Sequence, residues 1–229
     1  MEHRLMASLG AEVFSARFLY LLISMLGLLV IYPFFAEHSA GAEILDVVLT
    51  LVLFSGVYAI SDSKVPLIVA GVLATPALLG RWLSHFYPHE LVALLGYGFT
   101  IAFLAYTALK ILSHIMRTRA VTSDTIFAAL CVYLLMGFGW GIGFALLEAI
   151  QPGAFSAFSD QAEPHHVLAQ LIYYSLVTLT TVGYGDIVPV SAPARGFSNL
   201  ESVIGQLYLT VLVARLVGVR VSAHAGTTQ

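Results

Sequence analysis

The chain has 229 residues, 59% hydrophobic and only 10% charged, where a soluble domain carries about 25% charged residues. So little polar surface cannot face water all round, which excludes a soluble globular protein and leaves the lipid bilayer as solvent. The net charge of −3 comes without a basic tract or a charged tail, so nothing points to nucleic acid or a disordered partner arm. The single Cys131 precludes an intrachain disulfide and reads as a small buried hydrophobe.

Residues 1–17, with Arg4 and Arg17, hold no sustained apolar run and read as a cytoplasmic N-terminus. Residues 18–35 are apolar apart from Ser24, long enough to cross the hydrocarbon at about 1.5 Å per residue. The run exceeds a signal-peptide core of about 7 to 15 residues, so a retained anchor is expected. Residues 44–60 form the second predicted span, behind a link holding Glu37 and Glu43 and with Asp46 near its outer end. The third covers 65–83, with Pro66 in its first turn and Pro76 where a kink is expected. The fourth covers 91–109, and the tripeptide Gly96-Tyr97-Gly98 inside it reads as helix because its run is unbroken.

Residues 18–112 thus read as a four-span peripheral domain, with 113–123 as a cytoplasmic linker. The fifth span, 125–150, ends near Gln151-Pro152-Gly153, and Gly137, Gly139, Gly141 and Gly143 give it a small-residue packing face. Residues 151–166 are too polar for hydrocarbon, and the 13 apolar residues of 167–179 are too few to span, which predicts a re-entrant helix. Pro189 and Pro193 mark an irregular climb out, the last span covers 197–219, and 222–229 form a short cytoplasmic tail. The ten residues after Val219 predict no ligand domain.

Loop charges give the orientation. With the N-terminus inside, Arg4, Arg17, Lys64, Lys110, Arg117, Arg119 and Arg220 are cytoplasmic and Arg215 lies close by, whereas Arg81 and Arg195 fall outside. This bias predicts six spans with both termini in the cytoplasm, in the plasma (inner) membrane.

Between the re-entrant helix and the last span lies Thr180-Thr181-Val182-Gly183-Tyr184-Gly185-Asp186. Gly183 and Gly185 permit backbone angles that a Cβ forbids, so successive carbonyls can point one way and replace the water around a cation. This order of residues resembles the selectivity filter of potassium channels, and 124–221 resembles the pore module of tetrameric cation channels. The resemblance implies K+ coordination by Thr181, Val182, Gly183 and Tyr184, with Gly185 completing the filter and Thr180 and Asp186 supporting it. One filter per chain cannot enclose an ion, so closure predicts a homotetramer.

Tyr173 and Tyr174 stand where the family often carries an aromatic pair, which implies a brace with a hydroxyl directed to Tyr184 or Asp186, with plain interfacial tyrosines as the alternative. Val177 stands where some members have a glutamate, which puts filter control through such a carboxylate in doubt. Gly205 has the offset of the family's hinge glycine, with packing as the alternative. Gln206, Leu209, Val213 and Val217 share one stripe with it and would line the inner pore. Arg215 should sit near the inner interface, facing away from the ion path. Glu201, an acid inside an apolar span, is a functional candidate, either concentrating cations or, as favoured, hydrogen-bonding behind the filter. His165 and His166, expected just before the pore helix, are possible pH modulators or plain loop residues.

A conventional voltage sensor needs roughly three or four basic residues per subunit in its fourth span, and 91–109 contains none. The sequence therefore predicts an all-α membrane protein with six transmembrane helices, a re-entrant pore helix and a filter loop. It would conduct K+ passively and lack conventional voltage gating. The rivals are a less selective cation channel and the membrane subunit of a potassium transporter. No Ser-His or Cys-His pairing and no metal cluster supports an enzyme, so no catalytic residue and no cofactor other than permeating K+ is expected.

Overall fold

The computed structural model describes residues 17–35, 41–61, 63–86, 89–118, 122–156, 158 and 164–225. Among them run seven α-helices: α1 (Arg17–Phe35), α2 (Gly41–Ala59), α3 (Lys64–Phe86), α4 (Glu90–Arg117), α5 (Ser123–Ile150), α6 (Pro164–Leu179) and α7 (Ala192–Ala225). Arg4, Glu37, Arg119 and the side chain of Arg220, all used in reading the loops, lie outside the described residues, as do 1–16 and 226–229. Four helices are long and apolar enough to cross a membrane: Lys64–Leu83 of α3, all of α4 and α5, and Ala192–Val219 of α7. α1 contributes a shorter apolar stretch, Arg17–Ile31, and α2 is 19 residues long with Glu43 in its first turn.

Helix ends differ from the sequence expectation where polar residues hide them. α4 continues past 109 to Arg117, because Lys110, Ser113 and His114 interrupt apolarity without breaking the helix. Thr118 ends it, with its N–H on the carbonyls of His114 and Ile115. α5 starts on a reciprocal cap between Thr122 and Thr125, which satisfies two otherwise orphaned donors. α6 begins at Pro164, which loses no helical bond at this position, so His165 and His166 lie in its first turn and not in the loop before it. α7 begins at Ala192, and Pro193 sits in its first turn instead of in the irregular climb. Ser191 caps this start by accepting from Ala194 N at 3.2 Å. α3 runs helically through Pro76.

α5 is the centre of the packing, touching α1, α4, α6 and α7, while α3 packs on α4 and α2 bridges α1 to α3. Its buried face carries Leu135, Phe138, Ile142 and Phe144. Glycine spacing sets how close its neighbour comes. A Cβ on Gly141 would lie 2.6 Å from Ile172 Cα, and one on Gly137 would lie 2.5 Å from Leu176 Cδ2, so both face α6. Gly139 and Gly143 meet nothing within 4 Å. Gly96 is helical and backs onto Gly80 of α3, where the two helices touch through backbone. An ion pair between Asp46 of α2 and Arg81 of α3 ties these two helices together. α7 is different: its large apolar side chains Phe197, Val203, Leu207, Val211, Val213 and Val217 are all about half exposed within one subunit.

Candidate functional site

The chain leaves α6 through a turn that fixes the direction of its peptide groups. Thr180 N donates to Leu176 O at 3.0 Å and Thr181 N to Thr178 O at 3.0 Å. Val182 N and Gly183 N then converge on Val177 O, at 2.9 and 3.4 Å. Two successive N–H groups reach one acceptor only from the same side of the chain. A trans peptide points its carbonyl opposite to its N–H, and no peptide here is cis. The carbonyls of Thr181 and Val182 therefore both face away from α6. The sign of φ carries the pattern onward, being positive at Thr181 (61°), Gly183 (58°) and Gly185 (80°) but not at Val182 or Tyr184. Glycine adopts this freely; for Thr181, a β-branched residue, it costs about 1–2 kcal/mol. Backbone strain of this kind clusters at functional segments. Residues 180–186 are all exposed, Tyr184 by 72%.

The two tyrosines of α6 diverge. Tyr173 Oη donates to Asp186 Oδ2 at 2.9 Å across the turn, whereas Tyr174 Oη donates to Ser198 Oγ of α7 at 2.7 Å. Tyr174 also closes a ring triangle with Phe144 and Phe155, with centroids 5.2 to 5.4 Å apart. Outside the turn, the Phe155 loop is bound to the segment that leaves it: Ser156 N donates to Val188 O at 3.0 Å and Val190 N to Ala154 O at 2.8 Å. Glu148, buried at the end of α5, accepts from Gly153 N at 2.8 Å and Phe155 N at 3.0 Å. Sequence reasoning missed Glu148, Phe155 and Ser198. The available signal for Glu148 was an acid in the last turn of an apolar span, directly before Gln151-Pro152-Gly153.

Glu201 is fully buried and bonded to Ser175 of α6. Gly205 packs against the last residue of α6, where an added Cβ would lie 2.5 Å from Leu179 Cδ1. Tyr133 of α5 donates to Leu179 O at 3.0 Å, so two helices converge on that residue. Gln206, Val213 and Val217 are exposed, and Leu209 is half-buried. His165 and His166 are half-buried, their rings 5.8 Å apart. Arg215 donates to the carbonyls of Ile115, Met116 and Thr118, with 3.2 Å to the first and last. It thereby caps the C-terminal end of α4, where a cation is favoured.

Residues 121–221 match the family model described as an ion channel. The chain is an integral membrane protein whose second half is similar to ion channels. It is 35% identical over 91 residues to the two pore potassium channel c of Oryza sativa subsp. japonica, a match covering 40% of this chain and 18% of that protein. To the voltage-gated potassium channel Kch of Escherichia coli (strain K12) it is 33% identical over 114 residues, covering 50% of this chain and 24% of that one. To protein LctB of Bacillus caldotenax it is 26% identical over 106 residues, 45% of this chain and 78% of the relative.

Proposed function

We propose that the chain is one subunit of a homotetrameric, potassium-selective channel that conducts passively and has no conventional voltage sensor. The observation that carries this reading is the turn after α6, whose N–H groups point back to Val177 O and whose carbonyls are free for an ion. Thr181, Val182, Gly183 and Tyr184 coordinate K+, Gly185 lets the chain leave, and Thr180, Tyr173 and Asp186 hold the turn. The names of two relatives support K+ as the permeant ion. A ring of such turns needs several copies, and the exposed apolar face of α7 supplies surface for neighbouring subunits and lipid. Six spans with both termini cytoplasmic place the filter toward the outer face. Gly205 and the stripe of Gln206, Leu209 and Val213 belong to the inner pore.

Voltage control finds no support in α4, whose Lys110 and Arg117 both lie in its last third. Arg81 of α3 is engaged by Asp46.

The test is single-channel recording of the purified protein in a planar bilayer between potassium and sodium solutions. Discrete steps reversing near the potassium equilibrium potential, with weak dependence of open probability on voltage, are expected. Reversal midway between the two ions would replace this reading by a non-selective channel. Saturable flux without steps would replace it by a transporter subunit. Native mass spectrometry of the same sample should give four copies.

A further inference from the structure

Behind the filter, three oxygens from three helices form a line. Glu201 of α7 is 0% exposed and its Oε1 contacts Ser175 Oγ of α6. The same Ser175 Oγ lies 2.7 Å from Gly137 O of α5. Glu201 Oε2 is buried without a hydrogen-bond partner among the described residues.

A serine hydroxyl has one proton to give. If it goes to an ionised Glu201, the hydroxyl and the Gly137 carbonyl face each other at 2.7 Å with no hydrogen between them. If it goes to Gly137, a carboxylate and the hydroxyl oxygen repel in the same way. Both contacts close only when the carboxyl group brings a proton of its own, donating through Oε1 to Ser175, which donates to Gly137.

The surrounding charges agree. On α7, Arg195 is bound to Pro189 O at the outer end, and Arg215 is bound to the end of α4. On α5, Asp124 and Glu148 lie at opposite ends of the helix. α6 carries no Asp, Glu, Lys or Arg, and its His165 and His166 lie in the first turn. The neighbouring Tyr133 and Ser175 are neutral hydroxyls. Among the described residues no cation pairs with Glu201, and an unpaired buried carboxylate costs several kcal/mol, far more than a neutral acid with one unpaired oxygen.

We propose that Glu201 is kept as a neutral carboxylic acid and acts as a positioning residue, its proton completing a Glu201–Ser175–Gly137 relay that pins the inner, pore and outer helices behind the filter. Its importance for conduction rests on the reading of 180–186 as a filter; the relay itself does not.

The experiment is infrared spectroscopy of the full-length protein in lipid, with isotope-labelled glutamate, together with thermal unfolding and bilayer recording. Wild type at neutral pH should show the carbonyl stretch of a protonated glutamic acid that resists exchange in D2O, and Glu201→Gln should lose that band. Since glutamine offers an N–H donor in nearly the same shape, Glu201→Gln should keep the wild-type unfolding midpoint and ion selectivity. Glu201→Ala and Ser175→Ala should lower the midpoint and shorten openings. No protonated-glutamate band removed by Glu201→Gln, or a Glu201→Gln protein as unstable as Glu201→Ala, overturns the proposal. A band present in a protein that fails to select K+ supports the relay and overturns the filter reading, so the two failures are distinct.

Discussion

Replacing Gly141 by alanine should separate α5 from α6. The added methyl would lie 2.6 Å from Ile172 Cα, 2.9 Å from Ile172 Cγ1 and 3.0 Å from Ile172 N. Two of these three atoms are backbone of a hydrogen-bonded helix, so no side-chain rotation relieves the contact, and the helices must part by nearly 1 Å. A gap of that order forfeits a quarter to a half of the contact energy along the seam, and overpacking of this kind costs about 1–3 kcal/mol. Removing a mid-helix glycine returns up to about 1 kcal/mol through propensity. The net expectation is a loss of about 1–2 kcal/mol, read as a lower unfolding midpoint in detergent. Conduction should suffer as well, since α6 anchors Val182 and Gly183 through Val177 O. Gly71→Ala in α3, where nothing lies within 4 Å, is the control and should be neutral or slightly stabilising. A Gly141→Ala protein as stable as the Gly71→Ala protein would refute the reasoning.

Gly183→Ala places a side chain at φ 58°, at a cost of about 1–2 kcal/mol; potassium selectivity should fall while circular dichroism stays unchanged. Tyr173→Phe removes the bond to Asp186, worth about 0.5–1.5 kcal/mol, and mean open time in single-channel records should shorten. That bond raises the Tyr173 pKa above its ordinary 10.0, burial and nearby charge adding less. The folded state therefore keeps this proton longer than the unfolded chain, and the contribution is complete below the unfolded value and lost as pH rises through the folded one. The stability difference between wild type and Tyr173→Phe should accordingly stay constant from about pH 7 to about pH 9 and shrink only above about pH 10. Glu148→Ala frees the N–H groups of Gly153 and Phe155; the buried Phe155 donor left unpaired costs about 1–3 kcal/mol, whereas the exposed Gly153 can turn to water, and faster amide exchange at 153–156 measures it.

What the sequence made legible was chemistry that depends on residue order. Thr181 to Gly185 name a backbone conformation because glycine at every second position admits a positive φ, and the short run before them had too few residues to span. Side-chain partnership across helices was hidden. Tyr173 and Tyr174 are neighbours in the chain but about 100° apart on a helix, so one turns to Asp186 and the other to Ser198. The same rotation divides Gly137 and Gly141, which touch α6, from Gly139 and Gly143, which do not. Glu201 was conspicuous as an acid in apolar sequence, yet its partner Ser175, and the Gly137 carbonyl that Ser175 reaches in turn, lie on two other helices whose angular positions no spacing rule supplies. Helix starts were obscured where His165 or Arg195 made a first turn look like a loop.

The three carbonyls held by Arg215 couple the C-terminal half of α7 to the end of α4. Arg215 stands ten residues beyond Gly205, a lever arm of about 15 Å at 1.5 Å per residue. A bend of about 20° at Gly205 would swing its tip by about 5 Å, well beyond the reach of a hydrogen bond at about 3 Å. Any such bend must either strip α4 of its cap or drag along α4 and the helices packed on it. On the proposed reading of α7 as the helix lining the pore, those helices are a mechanical load on it, and anything that stiffens or loosens them changes the work of moving it.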